Sequence, residues 1–435
     1  MTAESTSRHP KVLIISQGAP GVGKDPNSIM LWRLLKHFPA GSYMVLSSRG
    51  NWLDGRVPQA QQEEGYRCFR GSVVRPGISR SNGGTAGMVR STYATLRTLL
   101  DWLGRSGFGR WVKEYILHGI VDPISVVVQT WSAVVTATAT IENEDITSIL
   151  AISDYGPCFM TGWIAHRSTG APLDLFIFDL WRENNFGWFD ELVASLFQQR
   201  VLAASRRVFS AGEGVSEYLS TKLGIESVVI RNSVVARGAT SVGSRSVLAL
   251  PMVVLYTGGI SWAKLDTILD MIAVVRDMVG IEFHVYSPQS QDQLAVMGVT
   301  GNNVVLHQEL PADEVRDRQA AADVLYLPMS FGEKGWHVVE TAQPAKFAEY
   351  MASGVPVLIH APAYAFVARY ARAHDIAIVV DQPGPDELKR VLMALISDRT
   401  EAQRKADRAA ALASKSYDSL EVSHLLQSYL LRERA

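Results

Sequence analysis

Short apolar runs rich in β-branched residues alternate with helical patterns along this chain, and the whole series occurs twice. The first series of predicted strands comprises residues 11–16, 43–47, 148–152, 175–178 and 208–210. Such runs are typical of parallel strands that are buried on both faces. Their alternation with helices therefore predicts an α/β fold with a doubly wound parallel sheet.

The second series begins after residues 236–250, a stretch rich in Gly, Ser and Ala that is predicted to be a linker. Its predicted strands are residues 251–257, 282–286, 303–306, 324–328, 355–359 and 376–380. We therefore predict a domain over residues 1–235, a second over 236–412, and a C-terminal helix over 413–435 that packs back on the first domain. Because ligands of such sheets bind outside the carboxyl ends of the strands, we expect the active site in a cleft between two facing sheets.

Charge and cysteine content limit the class of protein and its compartment. The formal net charge of −1 argues against a globally basic nucleic-acid binder. Cys68 and Cys158 have no metal-ligand spacing and cannot form a disulfide framework, which favours a reducing cytoplasm. The most apolar stretch, residues 123–141, contains Gln129, Ser132 and four threonines, so we predict a buried helix rather than a membrane span.

Residues 67–113, within a predicted insertion at about 67–120, are strongly basic. This segment holds one acidic residue, Asp101, and nine basic ones: Arg67, Arg70, Arg75, Arg80, Arg90, Arg97, Arg105, Arg110 and Lys113. Apolar side chains lie between them, including Leu99, Leu100, Trp102, Leu103, Phe108 and Trp111. This mixture suits an anionic membrane surface, and the alternative is a solvated insertion packed on its own domain.

Residues 344–359 combine a lysine and a glutamate with clear helix boundaries. Pro344 suits the first turn of a helix and Gly354 is a natural stop, before a buried strand. Lys346 and Glu349 are three residues apart and so share one helical face. A lysine near a helix N-terminus can bind a diphosphate, and a carboxylate one turn later can accept hydrogen bonds from vicinal hydroxyls. The alternative is a surface ion pair.

Residues 344–357 resemble the nucleotide-binding signature of glycosyltransferase family 4, whose members are retaining enzymes of the GT-B fold, with two Rossmann-like domains facing across a cleft. The resemblance implies that Glu349 binds the donor ribose. Many members have a second glutamate eight residues earlier, where this chain has Thr341. That departure puts in doubt any contact to the transferred sugar that depends on the first glutamate.

Residues 256–264 resemble the glycine–lysine loop in which the family holds the donor diphosphate with an arginine and a lysine. Lys264 matches the lysine, but the arginine position is Gly259, and Lys346 is a candidate to compensate. Residues 231–234 and 303–328 match further family segments in the same order. The implied donor-binding residues are Gly21, Gly23, Asn232, Gly258, Gly259, Lys264, Lys346, Phe347 and Glu349.

The loop at residues 18–24 fits the phosphate-binding pattern of nucleoside triphosphatases when it is considered alone. That pattern requires Ser or Thr next, to ligate magnesium, and this chain has Asp25. In a GT-B enzyme the same loop approaches the donor, and Gly21 and Gly23 would permit that close approach.

Other N-terminal candidates follow predicted strands and would face the cleft. The resemblance places Asp154, Tyr155, Arg182 and Glu213 on the acceptor side and makes Asp179 a catalytic candidate beside Lys264 and Glu349. The alternatives are turn hydrogen bonds and helix capping.

The sequence thus predicts a cytoplasmic enzyme, peripheral on the inner membrane, that transfers a sugar with retention from a UDP- or GDP-sugar. We expect a lipid-linked or polysaccharide acceptor, no metal, no cofactor and no nucleic-acid partner. The alternatives are a phosphate-loop nucleoside triphosphatase, a GT-B nucleotide-sugar epimerase and a non-catalytic scaffold.

Overall fold

The computed structural model describes residues 11–18, 20, 26–47, 72–74, 122–153, 156–183, 187–234, 250–333 and 335–432. The chain forms two compact units, one of Met1–Phe209 with Leu426–Ala435 and the other of Ser210–Leu425. Each unit is an α/β structure with its own core.

The first unit is built on a parallel sheet with strand order β3-β2-β1-β4-β5-β6-β7. Its strands are β1 (Lys11–Ser16), β2 (Tyr43–Ser47), β3 (Ser72–Val74), β4 (Ile146–Ile152), β5 (Leu173–Ile177) and β6 (Arg207–Ser210), with β7 (Val228–Val229) at the far edge. Its helices include α1 (Pro26–Leu35), α2 (Asp122–Asn143), α3 (Gly156–Thr169) and α4 (Trp188–Ala204). Strand β1 pairs in parallel with both β2 and β4, which confirms the predicted doubly wound arrangement.

The predicted apolar helix at residues 123–141 is present as α2, but the prediction that it is buried was wrong. Ala133 and Ala137 are buried, whereas Trp131 is 66% exposed. The helix lies on one face of its sheet and packs against α3, so the described elements cover one side of it. Within the described ranges, no helix has both the length and the apolar character needed to cross a membrane.

The second unit begins with α5 (Glu213–Tyr218), which continues into a single π turn (Leu219–Leu223). Its sheet has the order β10-β9-β8-β11-β12-β13. The strands are β8 (Met252–Thr257), β9 (Ile281–Ser287), β10 (Val304–Gln308), β11 (Val324–Pro328), β12 (Val357–His360) and β13 (Ile378–Val380). The helices are α6 (Leu265–Arg276), α7 (Gln291–Val296), α8 (Ala312–Ala321), α9 (Trp336–Thr341), α10 (Ala345–Ala352), α11 (Phe366–His374), α12 (Pro385–Ser397), α13 (Thr400–Ser416) and α14 (Ser419–Leu430).

Both faces of this second sheet are buried in separate apolar clusters. Along β8, Val254 and Tyr256 belong to one cluster, whereas Leu255 belongs to the other. Alternate side chains of a strand point to opposite faces, so a strand covered on both sides must be apolar at nearly every position. This requirement explains why the sequence pattern located these strands.

Arg231 is ion-paired with Glu213, and Val234 forms a parallel bridge with Asp418. The predicted domain boundary at residue 235 stays a prediction. The predicted C-terminal helix, residues 413–435, falls on the end of α13 and on α14, which Asp418 caps by accepting from Leu420 N at 2.9 Å.

The end of α14, from Leu426 onward, belongs to the first unit. Gln427 donates to the carbonyl of His37 at 3.2 Å, and Arg207 donates to the carbonyl of Tyr429 at 2.8 Å. Residues from Leu426 onward therefore cluster with the N-terminal part of the chain.

Candidate functional site

A glycine turn follows strand β8 at its carboxyl end. Gly258 has φ +115°, a conformation that L side chains rarely adopt, and its N–H donates to the carbonyl of Tyr286 at 2.8 Å. Strand β8 lies between β9 and β11, where the direction of strand order reverses. Such a switch point is where ligands of open α/β sheets bind.

The ammonium group of Lys346 lies against this turn. It donates to the carbonyl of Thr257 and lies 4.1 Å from the centre of the Tyr256 ring. A Cβ added at Gly258 would lie 2.7 Å from Lys346 Nζ, so the absence of a side chain at Gly258 makes room for the lysine. The cation is therefore placed by the first turn of α10 directly beside the loop.

Lys264 reaches the same loop from the other side. It is the N-cap residue of α6, and its Nζ donates to the carbonyl of Gly259 at 3.4 Å. Burial lowers the pKa of Lys264, and burial together with the Lys264 charge lowers the pKa of Lys346 well below its usual range. Two neighbouring ammonium groups that repel each other would be stabilised by an anion bound between them.

Residues beneath the turn hold it in place. Tyr350, fully buried on α10, accepts from Thr257 N at 3.0 Å and lies 3.1 Å from Thr257 Oγ1. Gln319 donates to the same Thr257 hydroxyl at 3.1 Å. A satisfied buried network of this kind restricts the backbone from which the glycine turn starts.

Gln289 clamps the loop from the side of β9. Its Oε1 accepts from Ile260 N at 3.0 Å, and its Nε2 donates to the carbonyl of Ile260 at 2.6 Å. The amide thus pairs with both polar groups of one backbone residue. Sequence reasoning missed Gln289, since nothing in a Ser-Pro-Gln turn marks a contact with residues nearly thirty positions earlier.

Glu349 and Phe347 occupy different environments on α10. The Glu349 carboxylate is half-buried and close enough to Lys346 for its charge to raise the pKa of that lysine, against the larger effect of burial. Phe347 is fully buried and packs in the core against Tyr370, with ring centres 6.1 Å apart. Its side chain therefore anchors the helix in the core, which leaves Lys346 and Glu349 as the candidates on α10 for ligand contact.

Helix α9 adjoins the same loop and carries polar atoms whose hydrogen-bonding capacity is not used within the described residues. A Cβ at Gly335, the N-cap of α9, would overlap the ring of Trp262 in the loop after β8. On α9, Glu340 Oε2 and His337 Nδ1 are buried without a hydrogen-bond partner among the described residues. Thr341, at the family's first glutamate position, is buried and donates to the carbonyl of His337 at 2.8 Å.

Asn232 and Glu213 lie in the segment that enters the second unit. Asn232 is 9% exposed, and its Oδ1 has no hydrogen-bond partner in the part of the chain that the structure describes. Glu213 accepts from Arg231 Nε at 2.7 Å, and the Arg231 guanidinium lies over the Tyr417 ring. The structure thus places Glu213 in an ion pair of the second unit. An acceptor contact for it stays a prediction.

In the first unit, Ser153 joins the ends of β4 and β5. Its hydroxyl donates to the carbonyl of Asp179 at 2.7 Å and accepts from Phe178 N at 2.9 Å. Asp179 thus follows β5 in a fixed loop, and Arg182 follows with an exposed side chain and its N–H bound to Gln198 Oε1 at 3.1 Å. The remaining predicted residues, Gly21, Gly23, Asp154 and Tyr155, lie outside the described residues, as do nearly all of residues 67–121.

Across the described ranges, no group of three or more His, Cys, Asp or Glu residues has an arrangement that could hold a metal ion.

A comparison with protein families matched part of the second unit. Residues 251–398, which contain the glycine turn, both lysines and Glu349, match the family described as glycosyl transferases group 1. In a sequence comparison, no curated protein matches the chain.

Several solved structures share the fold over nearly the whole chain. HepE from Anabaena, in complex with UDP and glucose, has a TM-score of 0.63 and 14% identity over 97% of this chain and 99% of its own. Sucrose-phosphate synthase from Thermosynechococcus elongatus has a TM-score of 0.64 and 12% identity over 97% and 98%. A putative UDP-N-acetylglucosamine 2-epimerase from Listeria monocytogenes has a TM-score of 0.53 and 12% identity over 98% and 98%. At these identities the likeness establishes the two-domain GT-B fold alone.

Proposed function

We propose that this chain transfers a hexosyl group from a UDP-sugar with retention of configuration. The match of residues 251–398 to the family described as glycosyl transferases group 1 and the GT-B fold support this proposal. One observation carries this proposal. Lys264 and Lys346 converge on the glycine turn after β8, where they form a site for a diphosphate. UDP is the favoured nucleotide because HepE, with the same fold, is described in complex with UDP and glucose.

The two lysines and the first turn of α10 would stabilise the departing diphosphate. In glycosyl transfer the bond between the sugar C1 and the diphosphate oxygen breaks, and negative charge accumulates on that oxygen. Buried cations and free helix N–H groups placed there beforehand stabilise the charge most in the transition state. Lys346 thereby supplies the second positive charge, because this chain has Gly259 at the position of the family's arginine.

Glu349 would hold the ribose of the nucleotide. It lies one turn beyond Lys346 on the same helix, so a diphosphate at the lysine directs the nucleoside past the carboxylate. A carboxylate accepts two hydrogen bonds from vicinal hydroxyls, which fits the 2′ and 3′ positions of a ribose.

The transferred sugar would lie against α9. Glu340 Oε2 and His337 Nδ1 are buried polar atoms without partners among the described residues, and the loop after β8 contacts the start of this helix. Sugar hydroxyls would satisfy such atoms, whose burial is otherwise unfavourable. In this arrangement Glu340 takes the sugar contact that Thr341 cannot make.

For the acceptor we propose a lipid-linked or polysaccharide glycan at the cytoplasmic face of a membrane. The nine basic residues among residues 67–113 favour a negatively charged surface. With retention, the acceptor oxygen bonds to C1 on the face that the diphosphate leaves, and its proton passes to the leaving diphosphate oxygen, with no metal ion in the step.

Donor binding tests the proposal directly. In a thermal-shift screen, a UDP-sugar should raise the melting temperature more than GDP-sugars, dTDP-sugars or ATP with magnesium. Lys264→Ala and Glu349→Ala should each reduce sugar transfer at least tenfold, whereas Lys389→Ala, at an exposed lysine on α12, should leave transfer unchanged.

The two substitutions should also differ from each other. Pyrophosphate has no ribose, so its competition with UDP should weaken in Lys264→Ala but persist in Glu349→Ala. Parental rates in both variants, or stabilisation by ATP with magnesium alone, would refute the assignment. The anomeric configuration of the product, read by NMR, tests retention separately.

A further inference from the structure

Helix α2 exposes an apolar stripe that the described residues of its unit leave uncovered. Ile124, Val127, Trp131 and Val135 are 56%, 55%, 66% and 54% exposed. Their spacing of three, four and four residues places them on one face of the helix. The opposite face is also apolar and packs inward, so the exposed stripe is not needed for the core.

Helix α4 presents a similar stripe in the same helical layer. Leu192 and Leu196 are 47% and 57% exposed and lie four residues apart, and Trp188 precedes them by one further turn at 54%. Helix α3 packs against both α2 and α4, so the three helices form one layer of the first unit. We call Ile124, Val127, Trp131, Val135, Leu192 and Leu196 the apolar face of this layer.

Along the α4 stripe, the exposed Arg200 follows Leu196 by four residues, and its basic side chain suits an anionic surface. Helix α2 has no Asp, Glu, Lys or Arg from residue 123 to residue 141. The acidic residues of α4, Asp190 and Glu191, are in its first turn, and burial raises the pKa of Asp190. Contiguous exposed apolar patches are uncommon on monomers and often mark a binding surface.

The sequence next to α2 indicates what binds there. The basic segment that ends at Lys113 precedes Asp122, the first residue of α2, by only nine positions. Nine basic residues are thus tethered to the start of an apolar stripe containing a tryptophan. Anionic headgroups attract the basic residues, and the acyl boundary accepts the aliphatic and indole side chains. Pairing with a second copy would instead bring two sets of nine basic residues together.

We propose that the apolar face of the α2–α4 layer is the membrane-docking surface of this protein, and that it inserts into the headgroup boundary of an anionic bilayer. The inference deepens the proposed function, because the acceptor of that function lies at a membrane. It concerns only residues of the first unit, whereas the donor site lies in the second.

Vesicle cosedimentation tests the proposal. The full-length protein should bind vesicles containing phosphatidylglycerol and phosphatidylcholine more tightly than vesicles of phosphatidylcholine alone, and 0.5 M salt should weaken the binding. Val127→Asp and Trp131→Asp should each weaken binding at least tenfold, since each removes a large apolar contact and adds a negative charge. Val127→Gln and Trp131→Gln should weaken it in the same direction with less perturbation of the helix.

Val296→Asp provides the matched control, because Val296 is 90% exposed at the end of α7, in the other unit. It should bind vesicles as the parent does. UDP affinity, measured on the same samples, should be unchanged in every variant and shows that each is folded.

Three results would overturn the docking surface while leaving the proposed function intact. The first is that the Trp131 and Val127 variants bind vesicles as tightly as the parent, and the second is that the parent binds UDP but no vesicles. The third is that the parent is a dimer, which Trp131→Asp converts to a monomer. A parent that binds vesicles but no nucleotide would overturn the proposed function alone.

Discussion

Replacing Lys346 with methionine should separate donor binding from fold stability. Methionine keeps an unbranched chain of similar length but removes the ammonium group, its bond to the Thr257 carbonyl and its contact with the Tyr256 ring. A hydrogen bond to a charged group contributes about 1.5–3 kcal/mol. Losing that contact to a diphosphate should therefore weaken UDP-sugar binding by roughly 10-fold to 150-fold.

The same substitution should change stability little. Burial and the Lys264 charge lower the pKa of Lys346 well below its usual range, so on balance the folded protein disfavours this ammonium group despite its two contacts. Replacing a buried charge with an apolar side chain of similar volume is often neutral or stabilising. We expect the free energy of unfolding at pH 7 to stay within about 1 kcal/mol of that of the parent.

The free energy of unfolding should depend on pH differently in the parent and in Lys346→Met. Because the pKa of Lys346 is lower in the folded than in the unfolded protein, the unfolded chain binds more protons, and this residue makes the parent more stable as pH rises toward the ordinary lysine pKa of about 10.4. Lys346→Met lacks that contribution. The difference in unfolding free energy should therefore move in favour of the parent between pH 7 and pH 10.

Donor binding should have the opposite pH dependence in the parent. A bound diphosphate stabilises the ammonium form and raises the pKa of Lys346, so UDP affinity should fall as pH rises through the free-state pKa, and Lys346→Met should flatten this decline. Titration calorimetry and chemical denaturation measure the two quantities. Lys389→Met, the same change at an exposed lysine, is the control. Parental UDP affinity in Lys346→Met would refute the two-lysine site, and a large loss of stability would refute the reasoning on burial.

Three further substitutions test the loop. Gly258→Ala would place a Cβ 2.7 Å from Lys346 Nζ, at a residue with φ +115°. It should therefore lower the free energy of unfolding by about 1–3 kcal/mol and weaken UDP binding. Gly259→Ala is the control, because the nearest atoms there are 3.8 Å away, and its melting temperature should barely change. Equal melting temperatures for Gly258→Ala and Gly259→Ala would contradict this. Gln289→Ala should raise the UDP dissociation constant about tenfold by freeing Ile260, with a small change in melting temperature, and an unchanged dissociation constant would show that the clamp does not position the loop.

Much of the candidate site could be located from the sequence. Lys264, Lys346 and Glu349 stand beside glycines and strands in a recognisable order, and the structure brings both lysines to the turn at Gly258. Gln289 and Tyr350, which hold that turn, could not be assigned in this way. Their partners, Ile260 and Thr257, are distant along the chain, and no local pattern encodes such a pairing.

By itself, the sequence determined the number and position of most strands and the doubly wound class of both sheets. A parallel strand buried on both faces must be apolar throughout, so its pattern survives without knowledge of its neighbours. Only the tertiary structure decided that α2 is half exposed and that the space left by the missing side chain of Gly258 is filled by an ammonium group. Both depend on which surfaces meet after folding. An apolar helix can have the same sequence whether one side or both sides are covered, and the identity of a glycine does not reveal which side chain packs against it.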